Sequence, residues 1–214
     1  MAVLAGPTLG ACALTTDTIV LGYQPQPWAR PLGGADQVMV QVVVQDERRD
    51  RSRVGCKKNG YGAEMAAIVS ATDVAGFVRT TVEGELARRG FKAGPAGVVV
   101  NVDLRKYYND FKPGFFSGDA QAEVVLDVSA FKLEAGQEGP PLFLGHFEGI
   151  GDNKGIQMYT GDNAKIALDA AYAEAMRSMF SDRRFLAALM QTAGPNPAAA
   201  PATPPSAAPT GPSS

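Results

Sequence analysis

Two stretches in the second half of the chain alternate apolar and polar side chains so regularly that they leave few folds open. From Gly97 to Tyr107, Val98, Val100, Val102 and Leu104 alternate with Asn101, Asp103 and Arg105. From Ala120 to Leu133, Ala122, Val124, Leu126, Val128 and Ala130 repeat the pattern. Successive side chains of a strand point to opposite faces, so each stretch predicts a strand with one apolar face and one wet face. A sheet of such strands needs cover on one side only.

The remaining periodicities supply the cover. Between Thr72-Asp73, which can cap a helix start, and Gly90, which suits a left-handed helix end, Val74, Phe77, Val78, Val82 and Leu86 recur at spacings of three and four. Asp73, Arg79, Glu83, Glu85, Arg88 and Arg89 are expected on the wet faces. A second helix is predicted from Gly161-Asp162-Asn163 to about Ala193, with Asp162 as its cap. Leu168, Tyr172, Ala175, Met176, Met179 and Phe180 form its stripe, and a break is expected at Ser181-Asp182. Further strands are read at Thr18 to Tyr23, Gln37 to Val44, Glu64 to Ser70 and Pro141 to Glu148, with hairpin-like turns at Pro113-Gly114 and Gly136 to Pro140. The glycine-rich run Gly149 to Gly155 reads as a loop. The order is roughly β-β-β-α-β-β-β-α, which predicts an α+β fold: a mainly antiparallel sheet with two helices packed on one face.

Composition narrows the class. The 20 Lys and Arg nearly balance the 22 Asp and Glu, and 45% of residues are hydrophobic. That is an ordinary globular balance, which argues against a polybasic nucleic-acid binder. All the charge lies between residues 12 and 193. The tail from Gly194 to Ser214 is Pro- and Ala-rich and reads as disordered. Residues 1–11 read as the remnant of a signal peptide, 12–36 as an amino end with a flexible tether and 37–193 as the body.

The tether reading depends on the amino end. Leu9-Gly10-Ala11-Cys12 resembles the lipobox of bacterial lipoproteins, in which the Cys thiol takes a diacylglycerol and becomes the mature terminus. Cys12 is therefore the expected lipidation site. Ala13 after it, in place of Asp, favours the periplasmic face of the outer membrane. No Lys or Arg precedes the apolar stretch, so translation is expected to start further upstream.

Residues with chemical capacity are few. Arg48, Arg49, Arg51, Arg53, Lys57 and Lys58 crowd into a loop and form a candidate site for an anionic polymer or lipid headgroup, although a solvated loop also accounts for them. Tyr107, Tyr108, Phe111, Phe115 and Phe116 either plug a sheet end or form a patch for a partner. His146 is the only histidine, so a hydrolase would have to use it with a carboxylate such as Asp127 or Glu148. No nucleophile elbow, phosphate loop or zinc-ligand pair occurs, so catalytic residues, cofactor and metal are all expected to be none. Cys56 is expected to be an unreactive lone thiol.

With the lipobox, the helix end Glu85-Leu86-Ala87-Arg88-Arg89-Gly90-Phe91, and Gly94-Pro95 leading into alternating strands, the chain resembles the YajG family of bacterial lipoproteins from roughly Val38 to Thr192. The resemblance implies an envelope lipoprotein with an α+β body and brings no catalytic residues. The expectation is a lipid-anchored, non-enzymatic accessory module with an envelope protein or glycan as partner.

Overall fold

The two alternating stretches form the spine of the sheet. In the computed structural model, which describes residues 15–134 and 137–191, they are β6 (Gly97–Lys112) and β7 (Gly118–Glu134). They pair antiparallel along their length, and β8 (Gln137–Ile156) pairs antiparallel with β7. On its other side β6 is parallel to β2 (Met39–Asp46) through its first half and touches β3 (Gly55–Lys58) through its second. The sheet is completed by β4 (Glu64–Ser70) against β3, β1 (Asp17–Ile19) against β4 and the short β5 (Lys92–Ala93) against β2. The fold is the predicted α+β, with three helices: α1 (Val74–Arg88), α2 (Gly161–Ser181) and α3 (Arg183–Met190). The expected break at Ser181-Asp182 separates the last two, and Asp182 Oδ1 accepts from Arg184 N at 2.8 Å.

Helices and sheet meet through matched stripes. Val98, Val100, Val102 and Leu104 of β6 and Ala122, Val124, Leu126 and Val128 of β7 are buried, as are Leu168, Tyr172, Ala175, Met176 and Met179 of α2. Each large apolar side chain removed from water contributes roughly 1.5–3 kcal/mol, so the stripe rather than local propensity holds α2 in place. The run Gly149 to Gly155 is strand, not loop. At two of its glycines α2 comes close: a Cβ on Gly149 would strike the Ala171 carbonyl, and one on Gly151 the Ala167 carbonyl. The alanines of α2 complete this close approach.

Three further expectations are corrected. The charged stretch is not loop throughout, since its residues 55–58 are strand β3, with which β4 pairs. Thr160, not Asp162, caps α2. The tether expected from residue 12 to 36 is already part of the body where it is described. Asp17 to Ile19 joins the sheet, Ile19, Leu21, Gln26 and Ala35 are buried, and Leu32 N donates to Arg89 O at 2.9 Å.

That packing also explains why Glu85 and Arg89, expected in water, are 1% and 4% exposed. The amino-terminal segment covers them and satisfies the charges. Glu85 Oε1 accepts from Gln26 N at 2.8 Å and from the Tyr23 hydroxyl at 2.9 Å. Arg89 pairs with Glu85, donates to Gln26 Oε1 at 2.8 Å and lies 4.2 Å from the Phe180 ring centroid.

Candidate functional site

The apolar core faces α1 and α2, and among the described residues the other side of the sheet carries no helix. Three loops at one end of the sheet share an unusual chemistry. They are Asn59 to Ala63 between β3 and β4, Pro113 to Ser117 between β6 and β7, and Gln157 to Thr160 between β8 and α2. None of the three contains a charged residue. A Cβ on Gly62 would lie 3.9 Å from the Pro113 side chain, so the first two turns adjoin. Gly60, Phe115, Phe116, Met158 and Tyr159, with Lys57 and Lys58, line one open hollow of about 360 Å³. Tyr61 is 97%, Phe115 94%, Phe116 88% and Met158 63% exposed, against the burial such side chains normally take. Phe115 and Phe116 stack edge to face on each other, with centroids 4.7 Å apart.

The five predicted aromatic residues therefore divide. Tyr107 and Phe111 are in the core, at 1% and 0% exposure, and Phe111 packs against Tyr159. Tyr108 is half-buried beneath Arg53, whose guanidinium carbon is 5.8 Å from the ring centroid. Only Phe115 and Phe116 are presented outward. Tyr61 and Met158 join them from distant parts of the sequence, so nothing in their own segments marked them.

Most of the basic loop is engaged internally. Arg48 is buried, with Asp46 Oδ2 at 2.8 Å, and also donates to the Arg51 and Arg53 carbonyls. Arg53 bridges Asp50 and Glu64, Lys57 Nζ lies 2.8 Å from Asp17, and Lys58 pairs with Asp110. Arg49 and Arg51 are exposed. Partial burial pushes the carboxyls of Asp46 and Asp17 up, but donors outweigh it and hold both below 3.8: Arg48 for Asp46, and Lys57 with the Gly161 amide for Asp17. Cys56 is buried, which with the nearby Glu64 charge raises its thiol pKa and leaves it a poor nucleophile.

The helix-free sheet face holds the hydrolase candidates. His146 and Asp127 are cross-strand partners, with Nδ1 2.6 Å from Oδ1. The second oxygen of Asp127 accepts from Arg105 Nε at 2.7 Å, and Arg105 also pairs with Glu47. Burial again raises the Asp127 carboxyl, but the donors His146 and Arg105 prevail and lower it. Glu148 is exposed opposite Val125, two positions beyond His146. No hydroxyl or thiol among the described residues hydrogen-bonds His146, and no cluster among them has the ligands to hold a metal ion. Among the described helices none is long and apolar enough to cross a membrane. Cys12 lies outside the described residues.

Comparison with known proteins supplies the context. No curated protein matches this sequence. A crystal structure of a DUF330-family protein from Xanthomonas campestris has a similar fold, with a TM-score of 0.55 at 9% identity over 76% of this chain and 92% of that one. A candidate lipoprotein from Caulobacter crescentus matches more loosely, with a TM-score of 0.40 at 12% identity over 74% of this chain and 91% of that one. The model of the family described as "Uncharacterized lipoprotein" (Lipoprotein_16) matches residues 32–190, which take in the sheet from β2 to β8 and all three helices. The chain belongs to this lipoprotein family.

Proposed function

We propose that the protein is a lipid-anchored module of the cell envelope, of the YajG kind, held at Cys12 on the periplasmic face of the outer membrane. It acts by contact with an envelope protein or glycan, without catalysis. The observation that carries this reading is the position of Leu9-Gly10-Ala11-Cys12 immediately ahead of β1 in a chain of a lipoprotein family. An anchor there needs no membrane-spanning helix. The sheet face opposite the helices, with exposed Leu144 and Ile150 among ion-paired neighbours, offers such a partner a surface.

Membrane fractionation on a density gradient tests the location. The wild-type chain, expressed from its natural upstream start, is expected in the outer membrane, Ala13→Asp in the inner membrane and Cys12→Ser in the soluble fraction. Wild type and Cys12→Ser fractionating alike would remove the anchor. A lipidated wild type confined to the inner membrane would remove the outer-membrane assignment.

The His146–Asp127 pair favours a second reading, a periplasmic hydrolase, because it supplies a base and the group that orients it. Arg105 holds the other Asp127 oxygen and no attacking group among the described residues hydrogen-bonds His146, so the pair also reads as one link of a surface charge ladder. A hydrolytic activity abolished by His146→Gln would establish the second reading over the first.

A further inference from the structure

The chain enters the sheet from the side on which the three charge-free loops lie. Strand β1 runs parallel to β4, with Asp17 opposite Ile68, and β4 begins at Glu64, directly after the turn that carries Tyr61. The chain therefore enters β1 from the tip side. Asp17 itself is fastened to that end, through Lys57 and through Gly161 N at 2.7 Å, both beside the hollow under Phe115 and Phe116. Five residue steps separate Cys12 from Asp17, a reach of at most about 18 Å. Four strand steps, about 13 Å, separate the level of Ile68 from that of Glu64. With the tip turned to the bilayer, an acylated Cys12 can extend at most about 5 Å beyond the level of Glu64, so the anchor leaves the tip within reach of the lipid surface.

We propose that Phe115 and Phe116, with Tyr61 and Met158, insert into the headgroup and upper acyl region of the bilayer that holds Cys12. The inference rests on the anchor reading above and adds a second point of membrane contact to it. Its chemistry fits that occupant. The three loops bring no charge into the bilayer, the exposed side chains are aromatic or thioether, and Lys58 and Lys112, both paired with Asp110, adjoin the loops at the strand ends. One lipid attachment alone leaves a protein free to swivel, and a second contact fixes which way the bare sheet face points. A soluble protein partner would also accept exposed rings, but an anchor within about 18 Å of Asp17 keeps a bilayer within reach of them.

The test uses a single tryptophan at the tip, Phe116→Trp in a Trp28→Phe background, in the full chain reconstituted in phosphatidylethanolamine and phosphatidylglycerol vesicles. Intact mass establishes whether the chain is acylated. In the acylated chain, emission is expected to shift to the blue and to be quenched by lipids brominated on the acyl chain. In an acylated chain, a tip tryptophan that stays open to aqueous iodide and untouched by brominated lipid overturns the inference while the anchor stands, and leaves the tip to a protein partner. Without the acyl group, as in Cys12→Ser, vesicle flotation at high lipid concentration decides, where contact too weak to survive cell fractionation is still read. Binding that falls roughly tenfold or more with Phe115→Ser and Phe116→Ser combined supports the tip contact, the scale expected for removing two apolar side chains from an interface. Flotation indifferent to those residues overturns it. Unchanged urea unfolding of the double variant shows that the fold was not what changed.

Discussion

The crossing from β2 to β3 and the turn from β6 to β7 connect strands of one sheet, yet they dispose of their side chains in opposite ways. The first is dense with charge, and two of its four cations are held within the fold, Arg48 by Asp46 and Arg53 by Asp50 and Glu64, as is Lys57 of β3 by Asp17. The second is apolar, and its two phenylalanines touch little but each other. Chemical capacity and availability are thus separate properties. A guanidinium that must lie under a strand crossing is occupied by the carboxylate that keeps it there, because a buried charge without a partner costs several kcal/mol. A phenylalanine at a hairpin tip has no such partner to claim it. The part of the chain that looks reactive holds the fold together, and the part that looks like core filling is what the molecule shows to its surroundings.

Substitutions at the two places should differ accordingly. The largest effect is expected for Arg48→Ala, which leaves Asp46 with only the residue-48 amide as donor and takes the guanidinium from two carbonyls. Stability to urea should fall by roughly 3 kcal/mol, and a loss under 1 kcal/mol would return Arg48 to the surface and reopen the loop as a binding site. Next comes acid. Asp46 and Asp17 titrate below 3.8 in the folded protein, so their contribution is complete above that pH and is lost as the pH falls through the lowered values. An acid limb beginning near pH 4 is expected, shallower in Arg48→Ala, and an identical limb in the variant would show that Arg48 does not hold Asp46. Smaller still is the effect of Arg49→Ser with Arg51→Ser, within about 0.5 kcal/mol as for exposed sites. If these two formed an anion site, heparin binding would fall steeply with salt and vanish in the pair. Binding that is weak throughout keeps the loop structural. The smallest effect on folding is expected for Phe115→Ser and Phe116→Ser in solution, where the unfolding midpoint should stay put. A loss of more than 1 kcal/mol would mean that the rings pack in the fold after all.

What could be read from the sequence follows the same division. The spine of the sheet, the cap at Asp73, the helix end at Gly90 and the break before α3 were legible, since each depends on a local rule: alternation, capping oxygens or a glycine with positive φ. Glu85 and Arg89 were not, because their burial depends on residues 23–35 arriving from elsewhere in the chain. Nor was the strand character of Gly149 to Gly155. Glycine there answers to the backbone of α2, a contact that no local pattern encodes. The tip was half legible: the aromatic run stood out, but which rings were outside depended on register, and Tyr61 and Met158 came from other loops. His146 opposite Asp127 likewise required the β7–β8 register. Family membership rests on the whole body and is independent of these local misses.

The account stands or falls on Cys12. Intact-mass analysis of the protein expressed from its natural upstream start, beside Cys12→Ser, tests it most directly. The account predicts a mature chain beginning at Cys12 with added acyl mass, absent from the variant. An unmodified chain retaining the residues before Cys12, and indifferent to its replacement, would contradict it.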